Sequence, residues 1–351
     1  MAKARLFDLP ETKGTYQLRG IVNGTAKDGF YKASKTSTGK DKRSINFGVE
    51  VDNGKTLYVG MQAFPRDEVF FFKRGEKGQK GETARVKWAE RHTFNKEGFK
   101  LIGINLGLTK IVGADGNMQN DRKTMVEFDA CDYIKNNLKD DASVFVKGGI
   151  EFSSFKSDDG SLRRFTKFVP NQISLCGTVN FDDEKFEPQH DFTQTIVFMG
   201  IEQEKEDDKP TGRFVVSAKI ITYSTIEDVM FVITDSKLAN MFKKNLKPYT
   251  AISVWGRIDA TTLTEEVEDD CWGESNKMTK VGASTRRELI ITGADPKTID
   301  NTIYTQDAIE SAMIKIKNAQ NAQSDFGENT ASAWGDPSGL NTAADDEDEP
   351  W

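Results

Sequence analysis

Between Asn23 and Arg43 the chain sets two adjacent aromatic side chains, Phe30 and Tyr31, among Lys27, Lys32, Lys35, Lys40, Lys42 and Arg43, with Gly, Ser and Thr between them. Cations strung along a loop can follow a polyanionic backbone, and rings between them can hold bases by stacking at about 1–3 kcal/mol each. Lys156, Arg163 and Arg164 flank the turn Asp158-Asp159-Gly160 and make a second basic cluster. A third runs through Lys73, Arg74 and Lys77, with Trp88 and Arg91 beyond it. Tyr58 stands between Leu57 and Val59 on the polar face of an alternating run, where an unburied ring is well placed to stack. Phe30, Tyr31 and Tyr58 are each also readable as rings of a satellite core, and single lysines are ordinary solvated surface. The clustering is what carries information.

Catalytic chemistry finds no comparable support. His92 and His190 are far apart, no Ser or Cys is placed near either as a nucleophile, and no glycine-rich phosphate cradle occurs. Cys131, Cys176 and Cys271 are widely spaced and lack a CxxC, which argues against a structural zinc and suits a reducing compartment. The acidic run Glu265 to Asp270 reads as a solvated loop rather than a metal site. The expectation is a protein that is no enzyme and takes no cofactor or metal. Met1 to Leu9 is charged and no long apolar run follows, so neither a secretory signal nor a membrane span is expected, and the location is cytoplasmic.

A net charge of −7 first argues against a nucleic-acid partner. Its distribution reverses that impression: residues 1–181 sum to +9, residues 182–321 to −8, and the last thirty, which hold no Lys or Arg, to −8. A basic first half, an acidic second half and an acidic tail imply a division of labour.

The elements that must position these residues are short strands. Tyr16 to Val22 alternates, Ile45, Phe47, Val49 and Val51 form the core face of a second strand, and Asn53-Gly54 turns the chain into Leu57, Val59 and Met61. A segment with helical spacing (Ala130, Tyr133, Ile134, Leu138) then feeds the strand Ser143 to Glu151, which holds Gly148 near its middle. That unit recurs at an offset of 108 residues: Leu238, Met241, Phe242 and Leu246 feed Ala251 to Asp259 with Gly256. Leu18-Arg19-Gly20-Ile21 and Phe198-Met199-Gly200-Ile201 suggest a second match, and together they predict tandem related domains. Strand, strand, strand, helix, strand, strand is the order of the OB-fold, a five-stranded Greek-key barrel.

The predicted fold class is therefore all-β with minor helices: two tandem OB-fold-like five-stranded barrels. The first spans 1–181, is basic, forms the main DNA-binding unit and carries a long basic β-hairpin insertion at about 64–107; the second spans 182–300. A C-terminal helix over 301–321 and a disordered linker with an acidic tail over 322–351 complete the chain.

Asp345-Asp346-Glu347-Asp348-Glu349-Pro350-Trp351 resembles the C-terminal tip of bacterial single-stranded DNA-binding proteins, which end in acidic residues followed by Ile-Pro-Phe, and the acidic, aromatic-ended tails of their phage counterparts. Here Glu349 stands in the Ile position and Trp351 in the Phe position. The resemblance implies an OB-fold core that coats single strands and a tail that binds replication or recombination proteins; two barrels in one chain point to a phage protein working in a bacterial host's cytoplasm. Its expected role is in DNA replication, recombination or repair. Two alternatives remain open: a strand-annealing or recombination-mediator protein on the same fold, and a β-rich structural or assembly protein that binds no nucleic acid.

Overall fold

The computed structural model describes residues 5–325 apart from 78, 157–159, 161, 207 and 264–283. They form two units, Lys13–Thr193 and, in the other, residues 5–12 together with Gln194 onward.

In the first unit, β1 (Gly14–Asn23), β2 (Tyr31–Lys35), β3 (Asp41–Asp52) and β4 (Lys55–Ala63) come first. The insertion that follows contains β5 (Glu68–Lys73), β6 (Glu82–Lys87), β7 (Lys100–Leu101), β8 (Ile104–Gly107), β9 (Lys110–Val112), β10 (Met118–Asn120) and β11 (Lys123–Met125). Then come α1 (Glu127–Asn137), β12 (Ser143–Lys156) and β13 (Leu162–Leu175). Pairing closes a barrel: β1 with β3, β3 with β4 and β12 with both β13 and β1 are antiparallel, while β4 and β13 run parallel with Val59 opposite Phe168. This is the OB-fold closure.

Alternation explains the filling. Tyr16, Leu18, Val22, Phe47, Val49, Leu57, Val59, Val144, Val146 and Phe168 point inward and are buried, with Tyr16 set edge-on to Phe168 at 5.1 Å between ring centres. Each of the Val, Leu and Phe side chains contributes about 1.5–3 kcal/mol by leaving water. Helix α1 presents Ala130, Cys131 and Ile134 to the interior and ends where Leu138 turns extended.

The second unit repeats the plan with β14 (Gln189–Glu206), β15 (Lys209–Ile221), β16 (Ile226–Ile233), α2 (Ser236–Asn245), β17 (Thr250–Leu263), β18 (Ser284–Asp300) and α3 (Gln306–Asp325). Neighbours follow the same order, again with one parallel contact, Val232 opposite Ile290. The 108-residue repeat is structural down to single groups. Asn137 and Asn245 each donate from Nδ2 to the carbonyl four residues back, and Asp141 and Tyr249 each take a positive φ, 64° and 68°. Gly148 and Gly256 each sit at a register shift where a Cβ would lie 1.9 Å and 1.8 Å from a carbonyl oxygen of the neighbouring strand, Val169 and Ile290.

Several expectations need correction. The match of Leu18-Arg19-Gly20-Ile21 with Phe198-Met199-Gly200-Ile201 is not structural. The amide of Asp141 donates to Val22, and that of its counterpart Tyr249 donates to Phe198, so Val22 and not Leu18 is the equivalent of Phe198. Gly20 is packed against the Glu50 carbonyl, whereas Gly200 has open space where a Cβ would point. The insertion runs to Met125 rather than to about 107, because strands of two to four residues leave no periodic signal. Residues 5–12 pack on the second barrel instead of the first: Phe7 and Leu9 join Val197, Ile221, Ala251, Tyr304, Ile309 and Ala312 in one core, which also anchors α3.

Candidate nucleic-acid interface

The first long loop is itself a hairpin. β2 pairs with the start of β3, placing Tyr31 opposite Ile45, Lys32 opposite Ser44 and Ser34 opposite Lys42. Alternation splits its residues between two sides. Tyr31 and Arg43 turn toward α1: the Tyr31 hydroxyl donates to Asp132 Oδ1 at 2.6 Å, Arg43 pairs with Asp132 Oδ2 at 2.9 Å and donates to the Phe128 carbonyl at 3.0 Å, and its guanidinium lies 3.8 Å from the centre of the Phe128 ring. Lys135 Nζ covers the Tyr31 ring at 4.3 Å, and Phe30 is buried. Tyr31 and Arg43 are thus engaged in docking the loop to the helix, and Phe30 belongs to the core. Burial, then the Asp132 carboxylate, pushes the Tyr31 hydroxyl up to about 12.

Lys32, Lys35 and Lys40 are exposed, and Lys42 is half-buried. Lys35 meets Asp41 at 3.5 Å in an exposed pair, which is worth at most about 1 kcal/mol and gives way readily to another anion. On the outward face of the barrel, Tyr58 is 42% exposed on β4 opposite Gly48. With Val59 and Phe168 paired in the core, the preceding residues Tyr58 and Lys167 fall on the outward side. Burial lowers the Lys167 ammonium from its ordinary value; Glu151, its cross-strand neighbour, works against that, and Lys42 adds a smaller push in the direction of burial.

The β12–β13 hairpin continues this face. Arg163 and Arg164 are exposed near its end, opposite Phe155 and Ser154. Phe155 and Phe165 lie parallel, 6° apart in plane and 5.0 Å between centres, with Phe165 36% exposed. The backbone of Lys156 pairs with Leu162. Lys167, Phe155 and Phe165 were absent from the sequence-based candidates, although their alternation with Phe152 and Phe168 places all three on the outward side.

In the insertion, Lys73, Arg74 and Lys77 are exposed around the β5–β6 turn. Trp88 and Arg91 do something else. Trp88 packs with Phe94, Phe99 and Leu101 against a small core of Val69, Phe71, Val86 and Val126. Arg91 stacks over the Trp88 ring at 4.1 Å and grips Asp129 with two hydrogen bonds of 2.8 and 3.0 Å. Both fasten the insertion to α1.

The corresponding face of the second barrel differs in charge. Arg213 is held between Glu204, at 3.0 Å, and Glu288, and Lys219 meets Asp228 at 2.7 Å. Trp255, 44% exposed, lies over Gly293, where a Cβ would come within 2.5 Å of the ring. Among the described residues, no group of three His, Cys, Asp or Glu side chains is arranged to hold a metal ion, and no helix is long and apolar enough to cross a membrane. Asp345, Asp346, Glu347, Asp348, Glu349, Pro350 and Trp351, like Cys271 and the run Glu265 to Asp270, lie outside the described residues.

Among solved structures, the wild-type single-stranded DNA-binding protein from Thermus aquaticus is similar at 7% identity and a TM-score of 0.37, covering 82% of this chain and 93% of that one. A deletion mutant of the same protein gives 8% identity and a TM-score of 0.38, covering 81% and 94%. No curated protein matches. The model of the family described as YorF matches residues 73–329, most of the chain, and the chain belongs to the YorF family.

Proposed function

We propose that this chain is a non-catalytic, largely sequence-independent single-stranded DNA-binding protein, phage-encoded, that protects single strands during DNA replication, recombination or repair. The observation that carries the reading is the outward face of β3, β4 and β13. There Tyr58 offers an exposed ring, Lys42 and Lys167 fall on the same side as that ring, and the stacked Phe155–Phe165 pair stands beside Arg163. A strand crossing this face meets what sequence-tolerant binding needs: cations at the spacing of a backbone and rings that accept any base. The paired arginine and lysine of the second barrel leave the first as the main contact. The acidic tail, five consecutive carboxylates ending in Pro350 and Trp351, is suited to a basic pocket on replication or recombination proteins.

The test is a salt titration of the full-length protein with single-stranded DNA, duplex DNA and single-stranded RNA of equal length. Single-strand affinity is expected to fall with salt at a slope of about −0.7 per phosphate contact. Absence of salt-sensitive binding to all three rejects the reading and favours a structural or assembly role.

A further inference from the structure

The insertion carries a second aromatic and cationic surface, apart from the barrel. β5 pairs with β6 on one side and with β7 on the other, forming a three-stranded sheet. One face is closed: Val69, Phe71 and Val86 are buried with Val126, the residue just before α1. Since side chains alternate, the opposite face carries Phe70 and Phe72, about 7 Å apart along one strand. Phe70 is half-buried and Phe72 is 41% exposed, its ring resting over Gly81, where a Cβ would meet Phe72 Cζ at 2.3 Å.

Cations surround these rings. Arg85 is directly across from Phe70, its guanidinium 5.8 Å from the ring centre; Lys100 is across from Phe72; Lys87 is across from Glu68, the carboxylate on this face. Arg85, Lys87 and Lys100 are all exposed. A protein partner's apolar patch would leave Arg85 and Lys100, which have no carboxylate opposite them on this face, without anions. A single nucleic-acid strand satisfies both components, because its bases cover the rings and its phosphates meet the cations. The buried side of the sheet, with Arg91 clamped on Asp129, holds this face in place before a ligand arrives.

We propose that the exposed face of β5, β6 and β7 is a second contact for single-stranded DNA, with Phe70 and Phe72 stacking on bases and Arg85, Lys87 and Lys100 receiving the flanking phosphates. It rests on the single-strand reading above and extends it: a strand longer than the barrel face needs reaches this sheet.

The experiment measures binding of dT10 and dT40 by the full-length protein and three variants: Phe70→Ala/Phe72→Ala, Phe72→Leu, and Arg85→Gln/Lys100→Gln. The double ring variant is expected to weaken dT40 binding about 5- to 100-fold, as one or two lost stacks would, while dT10 binding changes less than about twofold. Phe72→Leu keeps apolar volume without a π-face and is expected to give part of that loss. The charge variant is expected to flatten the salt slope for dT40 by about 1.4, two contacts at about 0.7 each. If circular dichroism shows the double ring variant unfolded, the other two decide. Unchanged dT40 affinity and slope in a wild type that binds both oligonucleotides overturns this inference alone, as does an equal loss for dT10 and dT40. A wild type that binds neither overturns the single-strand reading and this inference with it. Capture of a protein through this face, with dT40 binding unaltered, also overturns it.

Discussion

The hydroxyl of Tyr31 donates to Oδ1 of Asp132 at 2.6 Å, and Arg43 meets the other oxygen of the same carboxylate at 2.9 Å. A loop whose composition suggests a ligand-binding arm is thereby tied on one side to α1. Its exposed lysines stand on a scaffold already ordered.

This division gives opposite expectations for two tyrosines. Tyr31→Phe removes the hydrogen bond and leaves the carboxylate less satisfied, costing about 1–2 kcal/mol of stability with single-strand affinity nearly unchanged. Tyr58→Ala is expected to weaken binding by about 1–3 kcal/mol and to leave stability within about 0.5 kcal/mol. Denaturant unfolding and oligonucleotide titration of both variants check the pair. The reverse pattern would show that Tyr31 stacks and Tyr58 packs.

Alkaline pH should unfold the first barrel early. Burial, with Asp132 adding to it, pushes both the Tyr31 hydroxyl and the Cys131 thiol up to about 12, from ordinary values of 10.0 and 9.0. Both groups are held neutral in the folded chain, and the unfolded chain releases these protons at lower pH. Their contribution is therefore complete below about pH 9 and is lost as pH rises toward about 12. Melting temperature between pH 8 and 11.5 should fall progressively, and Cys131→Ala should flatten the earlier part of that fall. A melting temperature constant to pH 11 contradicts the assignment.

The repeated glycines should be the least replaceable residues of their strands. An alanine at Gly148 or Gly256 drives its Cβ into a backbone oxygen of the facing strand and should cost about 3 kcal/mol in its own barrel. Gly200→Ala, with open space at its Cβ, should stay within about 0.5 kcal/mol. Thermal unfolding of the three variants checks the ranking; equal effects at Gly256 and Gly200 would refute it.

Removal of Asp345 to Trp351 should tighten single-strand binding. Five consecutive carboxylates on the same chain compete with DNA for the basic face at high effective concentration. The gain should be largest at low salt, where screening is weakest. Truncation that leaves affinity unchanged at low salt removes this competition from the account.

Much of the architecture was legible in the residues. Alternation around Phe47 and Val59, the Asn53-Gly54 turn and the 108-residue repeat are local signals, and local signals survive folding because side-chain period and turn chemistry depend on near neighbours. The candidate surface was legible only in part. Lys32, Lys40, Arg163 and Arg164 are exposed as composition suggests, but Arg43 and Arg91 have the same composition and serve as struts to Asp132 and Asp129. Nothing near Arg91 announces a partner 38 positions later.

By itself, then, the sequence determined the strand order, the duplicated helix-to-strand unit and the segregation of charge, all of which follow from short-range pattern and from sums over segments. Only the tertiary structure decided which cations remain available and which rings look outward. It drew Phe7 and Leu9 onto the second barrel, brought Lys42 and Lys167 to one side of the first, stacked Phe155 on Phe165, and turned Phe70 and Phe72 away from Val69 and Phe71. The first two relations come from chain packing and barrel closure, which join residues more than a hundred positions apart and leave no record in local spacing; the last two depend on which side of a strand the core covers, and that the fold alone decides.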